Sequence, residues 1–180
     1  NDVVLILAKL QASFSFSESL RLRVRNSQRN FKRGIALESQ IFQNRSRVLV
    51  LSLTITYKHE FRHEITLETI QGHREKFFSN LRTNRLLRGI KDYIWSIEEG
   101  AESGLHMHWL LFYTSSSCHD VLIAKAIGEY WVKVITKGRG SYWNSNRSKA
   151  IHQRHGHGIG TGEINWNDLA KRNEIGRAHV

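Results

Sequence analysis

Glu98-Glu99-Gly100-Ala101-Glu102-Ser103-Gly104-Leu105-His106-Met107-His108-Trp109-Leu110-Leu111-Phe112-Tyr113 joins an acidic pair, a glycine-bounded connection, a His-x-His pair and an apolar run. Side chains on a strand alternate faces, so His106 and His108 point the same way while Met107 and Trp109 point the other. The run from Trp109 to Tyr113 is apolar on both faces, which predicts an interior strand able to hold the imidazoles still. Two fixed histidines are half of a metal site. In a chain with ten histidines the same spacing also fits a neighbouring pair with no ligand.

The other half lies upstream. Lys91 to Ile97 has a second short strand pattern, and the Gly-bounded connection suits a hairpin. An antiparallel partner then brings Glu98 or Glu99 level with the histidines. Trp95, Ile97 and Glu99 share a face, which favours Glu99 as the third ligand, although a one-residue shift in the turn would exchange it for Glu98. Two neutral imidazoles and one carboxylate suit a divalent ion that keeps positions open for a substrate oxygen.

Elsewhere the pattern is mixed. Val48 to Tyr57 alternates, rich in β-branched residues, and predicts a central strand. Leu67, Ile70, Phe77, Phe78 and Leu81 form one helical stripe, which Leu86, Leu87 and Ile90 extend or follow. Ser117 is a candidate N-cap for a second helix carrying Ile123, Ile127, Tyr130 and Val134. Lys137-Gly138-Arg139-Gly140 lets a backbone approach a phosphate closely between two cations, or else makes a plain turn into a strand; Tyr142 and Trp143, directly after it, are placed to stack on unpaired bases. Arg147 to His157 reads as a mobile basic loop, His155-Gly156-His157 included, and Gly160 to Trp166 as a further strand. The order of elements predicts an α+β fold, a central antiparallel sheet with helices packed on it.

Lys and Arg exceed Asp and Glu by 11, and the calculated pI is about 10.2. An acidic polymer, nucleic acid foremost, is the natural partner. No segment has the length of a membrane span, so no membrane partner is expected. Cys118 is the only cysteine, which excludes an internal disulfide and makes the cytoplasm the default location. Residues 1–45 read as a basic N-terminal flank in which Leu20, Leu22 and Val24 alternate with Arg21, Arg23 and Arg25, a pattern that suits a strand with one charged face or a solvated segment. Residues 46–173 read as the folded domain. The last seven residues, from Glu174, are similar to the translation of a sequencing adapter and are set apart from the fold, so the domain is expected to be truncated near its C-terminus.

Leu51-Ser52-Leu53-Thr54, then Ile97-Glu98-Glu99-Gly100, then Gly104-Leu105-His106-Met107-His108 resembles the HUH endonucleases of rolling-circle replication, with Met107 as the bulky middle residue. The succession Ala126-Ile127-Gly128-Glu129-Tyr130-Trp131, Val134 to Gly140, Tyr142-Trp143-Asn144-Ser145-Asn146 and Gly158-Ile159-Gly160 is similar to phage and prophage replication proteins of the inovirus and YagK/YfjJ type, over roughly residues 46–166. The resemblance implies a palm-like sheet and Mg or Mn held by His106, His108 and Glu99. It also implies Thr54 close to DNA, and single-stranded or replication-origin DNA as partner beside the replication machinery of a bacterial host cell. The nucleophile of such enzymes is a tyrosine in a Tyr-x-x-Lys pattern after the last strand. No such pattern follows Trp166, so the nucleophile is expected beyond Asn173 and this chain is expected to bind without cleaving. A non-catalytic nucleic-acid binder and a cupin-like metal hydrolase are the other readings, the latter short of ligands on later strands.

Overall fold

Alternation along β1 (Arg47–Tyr57) builds the centre of the sheet. Leu49, Leu51, Leu53, Ile55 and Tyr57 point to one face and are all buried, while Val48, Val50, Ser52, Thr54 and Thr56 point to the other. In this computed structural model, which describes residues 2–116, 118–156 and 159–175, β1 is flanked on both sides. On one side runs β3 (Gly104–Tyr113), antiparallel, from Leu49 opposite Tyr113 to Ile55 opposite Met107. On the other, β4 (Gly140–Asn144) pairs with Leu53 to Tyr57 and β5 (Gly162–Asn165) with Arg47 to Val50. β2 (Ile90–Gly100) completes a five-stranded antiparallel sheet on the outer edge of β3.

The gap between β4 and β5 is filled by a side chain. Asn146, buried in the tight turn Ser145–Ser148, accepts from the Ser52 backbone N–H at 2.8 Å and donates to the Val50 carbonyl at 3.0 Å. Its amide thus continues the hydrogen-bond ladder where no strand runs, because a buried backbone group left unpaired is costly. The same amide nitrogen donates to Asp120 at 2.6 Å, and Lys149 pairs with that carboxylate at 2.5 Å.

Two helices cover the leucine face. α2 (Leu67–Ser79) starts where the Thr66 hydroxyl accepts from the Thr69 N–H, and buries Ile70 and Phe77. α3 (Asp120–Tyr130) buries Ala124 and Ile127 and continues into a π-helical turn, Trp131–Ile135. Trp109 of β3 is enclosed by Phe77 and Trp131, with ring centroids 4.3 and 5.6 Å away. Gly128 lets the Tyr142 ring pack against the α3 backbone, since a Cβ there would lie 2.3 Å from it.

The remaining segments depart from the periodicity reading in places. Residues 2–44 are helical as α1 (Asp2–Asn44), not a strand, because the Leu/Arg alternation is short and lies in a segment of helix-tolerant residues with no proline. α2 stops at Ser79, and Leu87 sits in a separate short turn, Leu87–Gly89. The basic segment after Asn146 is helical as α4 (Lys149–Arg154), and α5 (Leu169–Asn173) follows β5. The proposed cap Ser117, together with His157 and Gly158, lies outside the described residues. Among those described, no helix is long and apolar enough to cross a membrane. The chain divides into two units, Asn1–Ile41 and Phe42–Val180, and the sheet belongs to the second.

Two stability outcomes follow from these contacts. Asn146→Leu strands a buried donor, an acceptor and part of a carboxylate, so a loss of about 3 kcal/mol is expected in urea unfolding, against about 1–3 kcal/mol per unmatched group; a loss below about 0.5 kcal/mol would show the gap to be closed differently. The second concerns His73, whose Nδ1 lies 2.7 Å from the buried Tyr57 hydroxyl. Burial first, then Lys76 and Arg139, hold its pKa below the ordinary histidine range, so the unfolded chain binds the proton more readily. Stability is therefore expected to be intact above neutrality and to decline as pH falls through about 6.5. His73→Gln should remove part of that decline, and an identical acid profile for both proteins would contradict the assignment.

Candidate metal centre

The hairpin register settles which acid meets the histidines. Gly100 pairs with Gly104 across the turn 101–103, and each step back along β2 matches one step forward along β3. Glu98 therefore faces His106 and Ser96 faces His108, whereas Glu99 faces Leu105. Gly104 has φ +63°, a left-handed conformation that suits the end of a tight hairpin loop. Arg62 clamps the tip by donating to the carbonyls of Tyr57 at 3.1 Å and Glu102 at 2.5 Å.

Glu98, His106 and His108 form the site. Their ligand atoms all lie within 4.8 Å of one another and could hold a metal ion. Glu98 Oε2 is 3.4 Å from His108 Nε2 and 3.9 Å from His106 Nε2. Both separations exceed an ordinary N–H···O bond. With ligand bonds near ~2.1 Å, donor atoms around a tetrahedral ion stand roughly 3.4 Å apart, so these spacings suit a shared cation better than direct contact.

The tautomers agree with that reading. His106 Nδ1 is 2.9 Å from the Gly104 carbonyl, which only accepts, so this nitrogen carries the proton and Nε2 offers a lone pair. The Ser103 hydroxyl stands 3.2 Å from the same nitrogen. His108 Nδ1 is 3.2 Å from Thr54 Oγ1, on the strand beside it; donation to that hydroxyl leaves Nε2 facing Glu98. Such outer contacts fix ring orientation at metal sites. The histidine side chains are 12% and 23% exposed and that of Glu98 55%, so the ligands are held by protein yet reached from solvent.

The site occupies one end of the face opposite α2 and α3. At the other end Val48, Val50 and Phe112 are buried. Trp143 pairs with Thr54, which pairs with His108, so the three lie side by side on one face, and Trp143 is 57% exposed. Two strand spacings of roughly 4.8 Å separate the β4 and β3 backbones there.

Several sequence-predicted residues fall elsewhere. Glu99 shares the helix-side face with Trp95 and Ile97, as its alternation implies, and that face is the wrong one for the histidines. Tyr142 packs on the helix side against Gly128, where burial raises its pKa, so it offers no stacking surface beside the histidines. Arg139 is tied to Glu64 and lies over the Phe61 ring. Lys137 is exposed, with φ 52°, at the turn after the π-helical segment. Thr54 supports His108 from a neighbouring strand. Glu98, the ligand that face-sharing with Trp95 disfavoured, was legible in the two glycines: taken as the closing pair of the hairpin, they give its position by counting.

No family model, curated protein or solved structure matches the chain.

Binding of Mn²⁺ followed by calorimetry is expected to show one site in the wild type, lost in His106→Ala, in His108→Ala and in Glu98→Ala. Glu99→Ala is expected to bind as the wild type does, and loss of binding in that variant would return the ligand role to Glu99. Thr54→Val should weaken binding roughly 10-fold or more, the usual scale for an outer contact of a ligand histidine.

Proposed function

We propose that residues 46–173 form an HUH-type domain that holds a divalent ion against a phosphodiester of single-stranded DNA, in the manner of replication-initiator nicking proteins. The observation that carries this reading is the convergence of Glu98, His106 and His108 at the open end of the sheet face, beside an exposed tryptophan. The net charge of +11 supports a polyanionic partner. Single-stranded DNA at a replication origin, in a bacterial cytoplasm, is the substrate context that the motif order favours.

A divalent ion in this site supplies positive charge to the non-bridging oxygens of the phosphate. The chain's own residues do the rest. Glu98 offsets the ion's charge, the Gly104 carbonyl and Thr54 hold the two imidazoles in the tautomers that ligate, and Trp143 offers a flat face to a base next to the bound phosphate. Lys137, in the turn before β4, is an exposed cation available to the backbone. The donor set of two imidazoles and one carboxylate suits Mn²⁺ better than Mg²⁺, which prefers oxygen ligands and retained water.

None of the chain's tyrosines is placed to attack there. Tyr57, Tyr93, Tyr113 and Tyr142 take helix-side positions in the sheet register, and Tyr130 lies in α3 and bonds to Asn80. Strand cleavage by a tyrosine oxygen therefore needs a residue from outside this set. That placement also favours a second reading, a metal-binding domain that holds single-stranded DNA without cutting it.

Fluorescence anisotropy with a labelled single-stranded oligonucleotide separates these. Mn²⁺ is expected to tighten binding in the wild type and to have no effect in a Glu98→Ala/His106→Ala/His108→Ala variant, while Trp143→Ala should cost about 1–3 kcal/mol, the usual worth of one base stacked on an aromatic ring. Neither protein is expected to yield cleaved product. Equal binding with and without metal would contradict a role for the site in DNA contact, and metal-dependent cleavage would contradict the tyrosine placement.

A further inference from the structure

The first unit carries a feature that the metal centre does not use. Along α1, the side chains of Arg21, Arg25, Arg29, Lys32 and Arg33 are all exposed. Among the described residues, none of the five forms an ion pair. At 3.6 residues per turn they fall within about a third of the helix circumference and span roughly 18 Å of axis from Arg21 to Arg33. Arg25, Arg29, Lys32 and Arg33 cluster with Gln28 and Ala36 on one open face of the helix.

Arginines repeated at i, i+4 repel one another, each pair weakening an isolated helix by a few tenths of a kcal/mol. A row of anions along the same axis would reverse the sign of that interaction. Guanidinium groups bind phosphate through paired N–H donors, which makes arginine the residue type suited to a phosphate row.

We propose that this stripe of α1 is a second nucleic-acid contact, one that grips the phosphate backbone of double-stranded DNA without reading its sequence. A duplex suits it better than a single strand. Sequence-tolerant single-strand binding relies on aromatic faces among the cations, and here the one aromatic residue between Arg21 and Arg33, Phe31, lies on another stripe. A rigid cationic row also matches the fixed phosphate rows of a duplex with little ordering of either partner. An anionic membrane suits it less, because insertion needs a continuous apolar face, and the exposed stripe of Val24, Phe31 and Ile35 is interrupted at Ser27 and Gln28.

The experiment uses the whole chain in EDTA, so that the metal centre contributes nothing, with a short labelled blunt duplex of arbitrary sequence and NaCl varied from roughly 50 to 200 mM. Arg25→Gln/Arg29→Gln/Arg33→Gln is expected to lose at least about tenfold in affinity and to make the log–log salt slope shallower by about 2.7, the value for three lost phosphate contacts. Arg25→Lys/Arg29→Lys/Arg33→Lys keeps the charge and is expected to keep the slope. Glu98→Ala/His106→Ala/His108→Ala is expected to bind the duplex as the wild type does. An unchanged slope in the glutamine variant, or a slope lost equally in the lysine variant, overturns the proposal. So does loss of duplex binding in the metal-site variant, or a glutamine variant that loses binding to anionic phospholipid vesicles while its duplex affinity stands.

Discussion

The register of the β2–β3 hairpin is the constraint on which the site depends. Strand side chains alternate with period two, so a shift by one residue would replace Glu98 with Glu99 and remove the carboxylate from the histidine face altogether. The observed register closes on the glycine pair at positions 100 and 104. Gly104 takes a left-handed conformation, and a Cβ on Gly100 would lie 2.3 Å from the Ser103 hydroxyl. Arg62 then holds the tip of the hairpin to the end of β1, so the register of one strand pair is locked to the strand that supplies Thr54.

The second constraint is the central position of β1. Its helix-side residues anchor the core, and the other face of the same strand supplies Thr54 next to His108. β1 needs two short partners on its outer edge, and Asn146 joins them where neither reaches. Asp120 accepts from that amide and Lys149 pairs with the same carboxylate, tying α3 and α4 to the sheet. Packing on one face and open chemistry on the other are thus two consequences of one strand, with the aromatic cluster around Trp109 stiffening the strand that carries both histidines.

Much of this was legible from residue order. Alternation in Val48 to Tyr57 and the apolar run after His108 each specify a strand of the sheet interior, and the helical stripe is kept at Ile70 and Phe77, while Leu67 at its start is exposed. The third ligand was not, because face-sharing with Trp95 and Ile97 speaks for Glu99 until the closing pair of the turn is fixed. Tyr142 and Trp143 show the same limit: adjacent aromatics on a strand must part, and only the pairing with β1 tells which one goes to Gly128 and which to solvent. Asn146 was unreadable for a different reason. Its partners lie 94 and 96 residues away in sequence, and no local pattern marks an amide that stands in for a strand. At residues 21–25 a short period-two alternation competed with helix propensity over a longer segment, and the longer signal prevailed.

Anomalous diffraction from crystals soaked in Mn²⁺ tests the central claim most directly. A single strong peak is expected within about 2.0–2.4 Å of Glu98 Oε2, His106 Nε2 and His108 Nε2. A peak bonded to Glu99, or no peak within reach of the two histidines, would contradict it.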